Sequence, residues 1–219
     1  MDKLYTFLNN IQISLQFCLW LLIFFWLDLD LFTYMLNDKY ILKIILGIIL
    51  ISSQLYLFQN LYNLIRVDSI YKNDNDKELE NISDKNDYTS CKKCNKFRPK
   101  RAHHCRYCNK CILIMDHHCF TLNKCIGKNN YKLYIKYLIF VEINTSLLFI
   151  CSSYVCYNYY SELSLYSFIK YSLLSVVSFL SSASLYFYLI FQAYLYISDL
   201  TTLEFIYPKL RLNNKNVNK

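Results

Sequence analysis

Four long apolar runs constrain this chain more than any other feature. They cover about residues 11–36, 40–65, 131–157 and 166–198, and they contain few charged residues. About 20 consecutive apolar residues are enough to cross a bilayer as a helix. Only two glycines and two prolines are available for tight turns. The sequence therefore predicts an all-α integral membrane protein with four transmembrane helices.

The first run could also be a signal peptide, but its features favour a retained helix. It is long, it lacks a small-residue cleavage site, and only Lys3 precedes it as a basic residue. We therefore interpret it as the first transmembrane helix.

The distribution of basic residues predicts the orientation. Most of the 24 Lys and Arg residues lie between Arg66 and Lys132, and several more follow Pro208. Cytosolic loops of membrane proteins are enriched in these residues. We expect a multi-pass protein of the endomembrane system (ER or Golgi) or plasma membrane, with both termini and the segment between runs two and three in the cytosol.

A segment dense in cysteine and histidine separates the second and third runs. All four histidines and seven of the ten cysteines lie between Cys91 and Cys125. Structural zinc takes four such ligands, and a Cys-x2-Cys pair lets two thiolates reach one ion. The candidates exceed what one zinc needs, and two sites of three Cys and one His would use eight of them. The candidates in the spaced pattern are Cys91, Cys94, His104, Cys105, Cys108, Cys111, His118, Cys119 and Cys125.

Other classes of cysteine-rich protein fit this pattern less well. Disulfides are disfavoured because the segment is expected in the reducing cytosol. A RING-type ligase needs a closing Cys-x2-Cys pair, which is missing after Cys111, and retroviral nucleic-acid knuckles have a different spacing. The formal charge of +8 is therefore not interpreted as a sign of a nucleic-acid partner. A pair of structural zinc knuckles without chemistry remains open at this point.

The resulting division of the chain has five parts. They are the N-terminus with helices 1 and 2 (1–65), a polar cytosolic linker (66–90), the zinc-binding segment (91–130), helices 3 and 4 (131–198) and a cytosolic tail (199–219).

The tetrapeptide Asp116-His117-His118-Cys119 resembles the signature of the DHHC-type protein S-acyltransferases (palmitoyltransferases). The similarity extends from Cys91 through Arg98-Pro99-Lys100-Arg101 to Asn130. It also includes Thr201-Thr202-Leu203-Glu204, where the family carries Thr-Thr-x-Glu. Four helices with a cysteine-rich insert after the second is the family's topology.

The resemblance implies a cofactor content and a pairing of the ligands. It implies two structural zinc ions. The first would be held by Cys91, Cys94, His104 and Cys111, and the second by Cys105, Cys108, His118 and Cys125.

The resemblance also implies an activity. Cys119 would take a long-chain fatty acyl group, such as palmitoyl, from acyl-CoA and pass it to cytosolic cysteines of substrate proteins at the bilayer. His117 would act as the base and Asp116 would orient it, in the general logic of an activated nucleophile. Further expected roles are CoA phosphate binding by Arg98, Lys100 and Arg101, and structural contacts by Thr202 and Glu204.

Phe120-Thr121 departs from the family pattern, which usually has Pro-Trp after the reactive cysteine. This departure motivates an alternative from another class, a catalytically silent, zinc-stabilised membrane scaffold.

Overall fold

The computed structural model describes residues 40–71 and 88–210. The first apolar run, most of the predicted linker and the last residues of the tail lie outside the described residues. Four helices occur in the described ranges. They are α1 (Tyr40–Arg66), α2 (Tyr131–Asn158), α3 (Leu165–Ile197) and α4 (Thr202–Ile206).

Three predicted transmembrane runs form long helices. The helices α2 and α3 are long and apolar enough to cross a membrane. With 28 and 33 residues at about 1.5 Å per residue, each exceeds the roughly 30 Å of a bilayer core. Only 6% of the apolar window of α3 is buried. Such an exposed apolar surface is typical of a helix that can cross a membrane.

The described residues divide into two compact units. The first contains α1 up to Tyr62 and residues 135–190 of α2 and α3. Leu148, Val155 and Tyr171 form its small buried cluster. Hydroxyl pairs also join α2 to α3, among them Ser153 with Ser175 at 2.7 Å. Hydrogen bonds of this kind are a common way for membrane helices to associate.

A carboxylate lies within this helix pair. Glu142 Oε1 accepts hydrogen bonds from Ser146 on its own helix and from Ser182 on α3, at 2.8 and 2.7 Å. A second polar residue of α2, Asn144, contacts α1: its Oδ1 atom accepts hydrogen bonds from the side chains of Ser53 and Gln54. These contacts connect all three long helices within the first unit.

The second unit contains residues 63–71, 88–134 and 191–210 of the described ranges. Its cysteine-rich part consists of three antiparallel hairpins. The strands are β1 (Tyr88–Cys91), β2 (Lys96–Pro99), β3 (His103–Cys105), β4 (Lys110–Ile112), β5 (His117–Cys119) and β6 (Lys124–Ile126). The all-α expectation does not hold for this segment, because a Cys-x2-Cys turn must fold back tightly for both thiolates to reach one ion.

The three hairpins repeat one design at intervals of fourteen residues. In each, a cysteine at the end of the first strand pairs with a lysine at the start of the second; the pairs are Cys91–Lys96, Cys105–Lys110 and Cys119–Lys124. An asparagine with positive φ precedes each lysine, namely Asn95 (51°), Asn109 (51°) and Asn123 (44°). Asparagine tolerates this left-handed conformation better than most residues. The hairpin that carries Cys119 is therefore built like the two before it.

Asn130 joins the hairpins to the segment that precedes them. Its side chain is fully buried. Its Nδ2 donates to the carbonyls of Val67 and Cys125, at 3.2 and 3.0 Å. Its Oδ1 accepts from Ser69 Oγ and from the Gly127 N–H, both at 2.9 Å. One side chain thus satisfies four polar groups and positions β6 against the end of α1.

Candidate active site and metal centres

The first candidate metal centre joins two hairpins. The β1–β2 turn supplies Cys91 and Cys94, and the cross-strand partners His104 and Cys111 come from β3 and β4. Their four donor atoms lie within 4.8 Å of one another. The His104 Nδ1 atom lies 3.6 Å from the Cys91 sulfur and 3.2 Å from the Cys94 sulfur.

The second candidate centre repeats this arrangement one hairpin later. The β3–β4 turn supplies Cys105 and Cys108, while His118 and Cys125 are cross-strand partners on β5 and β6. The His118 Nδ1 atom lies 3.7, 3.4 and 3.6 Å from the sulfurs of Cys105, Cys108 and Cys125. The structure thus brings the eight expected ligands together in the two groups that the resemblance implied.

The geometry of both groups fits a tetrahedral zinc ion. Zn–S bonds of about 2.3 Å and Zn–N bonds of about 2.0–2.1 Å place neighbouring ligand atoms about 3.5–3.8 Å apart. Most of the observed separations fall in or near this range. In the second group the thiols compete for protons: the hydrogen bond between Cys125 and Cys108 lowers the pKa of Cys108 to about 5 and raises the pKa of Cys125. In the first group, burial raises the pKa of Cys111 to about 12. A divalent cation would stabilise the deprotonated form of these closely spaced thiols.

Cys119 lies outside both groups, next to a histidine held by a buried carboxylate. Asp116 is 3% exposed. Its Oδ2 atom lies 2.7 Å from His117 Nδ1. The Asp116 Oδ1 atom accepts a hydrogen bond from the backbone N–H of Thr202 at 2.7 Å, and Oδ2 accepts one from the Thr202 hydroxyl at 2.8 Å. The carboxylate therefore orients the imidazole and is itself oriented by the N-terminus of α4.

The electrostatics of this group favour a thiolate. Burial alone would lower the pKa of His117, but its hydrogen bonds to Asp116 and Cys119 outweigh burial and raise the pKa to about 9. Burial alone would raise the pKa of Cys119. The interaction with His117 and the backbone N–H groups of Leu122 and Thr121 outweigh it, so the thiol pKa is lowered.

Arg101 joins the hairpins to the segment around α4. Its guanidinium donates to both carboxylate oxygens of Glu204, each at 2.8 Å, and to Asp199 at 3.1 Å. Glu204 is 3% exposed, and it forms a capping box with Thr201 at the start of α4. Sequence reasoning assigned Arg101 to CoA phosphates, but these carboxylates already engage its charge.

Arg98 differs from Arg101 in its surroundings. Its Nε and Nη1 atoms are buried and lack a hydrogen-bond partner within the described part of the chain. The Nε2 atom of His103 is in the same situation. Burial, together with the charge of Arg98, lowers the pKa of His103. Lys100, the third predicted phosphate ligand, is partly exposed.

The residue after the reactive cysteine forms an aromatic cluster. Phe120 is 67% exposed, and its ring meets Tyr107 and His118 edge-on with centroid distances of 5.0 and 5.1 Å. Tyr107 in turn stacks on His118 at 4.9 Å. An aromatic side chain thus covers the ligand histidine at the position where the family usually has proline.

Sequence reasoning missed two features of this site. The first is the spacing of fourteen residues, which is visible in His103-His104-Cys105 and His117-His118-Cys119. The second is the central role of Asn130, for which no local signal exists.

Comparisons with known proteins agree with this site. A model of the DHHC palmitoyltransferase family matches residues 84–209, which is more than half of the chain. Palmitoyltransferase PFA3 of Candida albicans (strain SC5314 / ATCC MYA-2876) is 33% identical over 75 residues, which are 34% of this chain and 20% of that protein. The chain therefore matches only a fifth of the length of this curated relative. The match of the family model over both metal groups, the tetrapeptide and α4 shows that the chain belongs to the DHHC palmitoyltransferase family.

Proposed function

We propose that this protein is a protein-cysteine S-acyltransferase that moves a long-chain fatty acyl group, such as palmitoyl, from acyl-CoA to Cys119 and then to a cysteine of a second protein. One observation carries the proposal. Among the described cysteines of the hairpins, Cys119 is the one that both four-ligand groups leave out, and it interacts with an imidazole that a buried carboxylate orients.

The first step forms the acyl-enzyme. His117 takes the proton of Cys119, and the thiolate attacks the thioester carbonyl of acyl-CoA. The carbon–sulfur bond to CoA breaks, and the proton on His117 passes to the departing CoA thiolate. Asp116 keeps the imidazole in one orientation throughout.

The second step transfers the acyl group to the acceptor protein. His117 takes the proton of the acceptor thiol, and that thiolate attacks the Cys119 thioester. The bond between the acyl carbon and Cys119 breaks, and the proton returns to the thiolate of Cys119. The enzyme is thereby restored, and no further reactant is needed.

Arg98 supports the assignment of acyl-CoA as donor. Two buried nitrogen atoms of its guanidinium, Nε and Nη1, have no hydrogen-bond partner among the described residues, and phosphate oxygens accept bonds from such groups strongly. Lys100 and His103 are close in sequence and would add charge or hydrogen bonds. Because Arg101 is engaged by Glu204 and Asp199, the proposed contact with CoA rests on Arg98 and Lys100.

The two metal groups have a structural role in this proposal. Zinc held by Cys91, Cys94, His104 and Cys111, and by Cys105, Cys108, His118 and Cys125, would stabilise the short hairpins, which cannot bury a large core by themselves. Thr202 and Glu204 would hold the segment around α4 against Asp116 and Arg101.

The proposed setting is the cytosolic face of an endomembrane or the plasma membrane. Four transmembrane helices would anchor the chain, with both termini and the hairpins in the cytosol. Acyl-CoA, the acceptor thiols and the bilayer surface would all be accessible there.

The proposal is tested by self-acylation. Detergent-purified protein is incubated with a clickable palmitoyl-CoA analogue, and label that hydroxylamine removes is quantified. We expect label on the wild type, none on Cys119→Ala, and wild-type label on the matched control Cys156→Ala, which removes a thiol from α2. Loss of Arg98 should raise the acyl-CoA concentration needed for half-maximal labelling.

The alternative of a silent scaffold has its own outcome. A wild type that carries two zinc ions per chain but takes no label would contradict the proposed function. Reversion of Phe120-Thr121 to Pro-Trp would then show whether this departure removed the activity.

A further inference from the structure

The hairpin of Cys119 is a metal knuckle that lacks one thiolate. The turns of the three hairpins align residue by residue, with a cysteine first and a left-handed asparagine fifth. At the fourth position the first two turns carry Cys94 and Cys108, which are metal ligands. The third turn carries Leu122 at this position, and its side chain is 8% exposed.

The two metal groups follow one assembly rule. Each takes two thiolates from the turn of one hairpin and a cross-strand His–Cys pair from the next hairpin. The third hairpin is followed by α2, which begins at Tyr131. Cys119 therefore occupies a ligand position at the end of the series, where the following hairpin would otherwise complete the site.

The turn around Cys119 retains the backbone arrangement of the metal-binding turns. In the first hairpin, the N–H groups of Cys94 and Lys93 donate towards the Cys91 sulfur. In the third hairpin, the N–H groups of Leu122 and Thr121 donate towards the Cys119 sulfur in the same way. Hydrogen bonds to the charged form stabilise it. The backbone of the third turn thus surrounds its sulfur as the backbone of a metal-binding turn does.

We propose that Leu122 is a positioning residue that keeps the Cys119 thiolate free of metal by replacing the second thiolate of the knuckle with a buried hydrocarbon side chain. The inference rests on the proposed function, because it explains how a nucleophile persists beside two metal groups. A thiolate at position 122 would complete a Cys-x2-Cys pair. With the neighbouring His117, the hairpin would then offer three donors, which is the ligand number of many zinc sites that keep an open position.

The test compares L122C with L122S in the full-length, detergent-purified protein under reducing conditions and with excess zinc. Serine matches cysteine in size and removes the same hydrocarbon, but its hydroxyl is a poor zinc ligand. The measurements are bound zinc per chain and the rate of iodoacetamide labelling at Cys119, read by peptide mass spectrometry.

We expect L122C to bind more zinc than L122S, approaching one additional ion per chain, and its Cys119 to label at least tenfold more slowly. Mild chelation that leaves the two four-ligand groups loaded should restore labelling. The double variant C119S/L122C should lack the additional ion.

Two results would overturn the proposal. In the first, L122C binds no additional zinc and labels at the rate of L122S. In the second, L122S labels as slowly as L122C, which would show that Leu122 acts by packing. Neither measurement uses acyl transfer, so a failure of the proposed function would be recognised separately, by an unlabelled wild type in the self-acylation assay.

Discussion

The pairing of Arg101 with two carboxylates allows a direct comparison of buried and exposed charge. Glu204 and Asp199 contact the same guanidinium, at 2.8 and 3.1 Å. The Glu204 side chain is 3% exposed and that of Asp199 is 88% exposed. The substitutions Glu204→Gln and Asp199→Asn make the same chemical change, so a difference in their effect reflects the burial of Glu204 and the additional hydrogen bonds that it accepts from Arg101 and from the Thr201 N–H.

The expected magnitudes follow from these contacts. Glu204→Gln removes a charge, and its amide turns an N–H donor towards a guanidinium that can only donate. One charged hydrogen bond is worth about 1.5–3 kcal/mol. Asp199 and water partly compensate for the charge of Arg101 that the substitution leaves without its buried partner. We expect a loss of about 2–3 kcal/mol. For Asp199→Asn we expect less than about 1 kcal/mol, because exposed ion pairs contribute little.

Thermal unfolding of the two variants at one scan rate measures this difference. For a chain of this size, 1 kcal/mol corresponds to about 2–4 °C in Tm. Glu204→Gln should therefore lower Tm by roughly 4–12 °C and Asp199→Asn by less than about 4 °C. Equal shifts, or a larger shift for Asp199→Asn, would refute the view that the buried carboxylate holds Arg101 in place.

Three further predictions concern the same unit. Asn130→Leu should lower the free energy of unfolding by about 3–5 kcal/mol, because it leaves several buried polar groups without a hydrogen-bond partner. The matched control is Asn129→Leu at the neighbouring exposed position, which should lower it by less than about 1 kcal/mol. Thermal unfolding measures both variants. Gly127→Ala should lower the free energy of unfolding by about 1–3 kcal/mol, because the added Cβ would lie 2.5 Å from the backbone carbonyl oxygen of Leu113. The same thermal unfolding experiment measures it. Cys105→Ser should reduce bound zinc below two per chain by elemental analysis and lower Tm, since metal binding is coupled to folding. Cys119→Ser should retain two; a zinc lost with Cys119→Ser would contradict its place outside the metal groups.

Local patterns in the sequence determined the long helices and the supply of ligands. The runs at 40–65, 131–157 and 166–198 predict α1, α2 and α3 because helix formation in a bilayer depends on length and hydropathy, which are properties of a single segment. Likewise, Cys91 and Cys94 lie close together in any tight turn, so their spacing indicates a metal site. The division of the eight ligands into two groups came from the family resemblance, because spacing alone does not show which two hairpins bind the same ion.

Tertiary structure decided the contacts between distant segments. The sequence offered no sign that Arg101, predicted to bind CoA phosphates, would contact Glu204, 103 residues later. The hydrogen bond from the Thr202 hydroxyl to Asp116 spans 86 residues; the family resemblance implied a structural contact by Thr202 but did not name its partner. The strands have only three or four residues, too short for the alternation of apolar and polar residues that reveals a strand. Such contacts depend on where the chain returns in space, and the burial that makes Glu204 and Asp116 important exists only once it has returned.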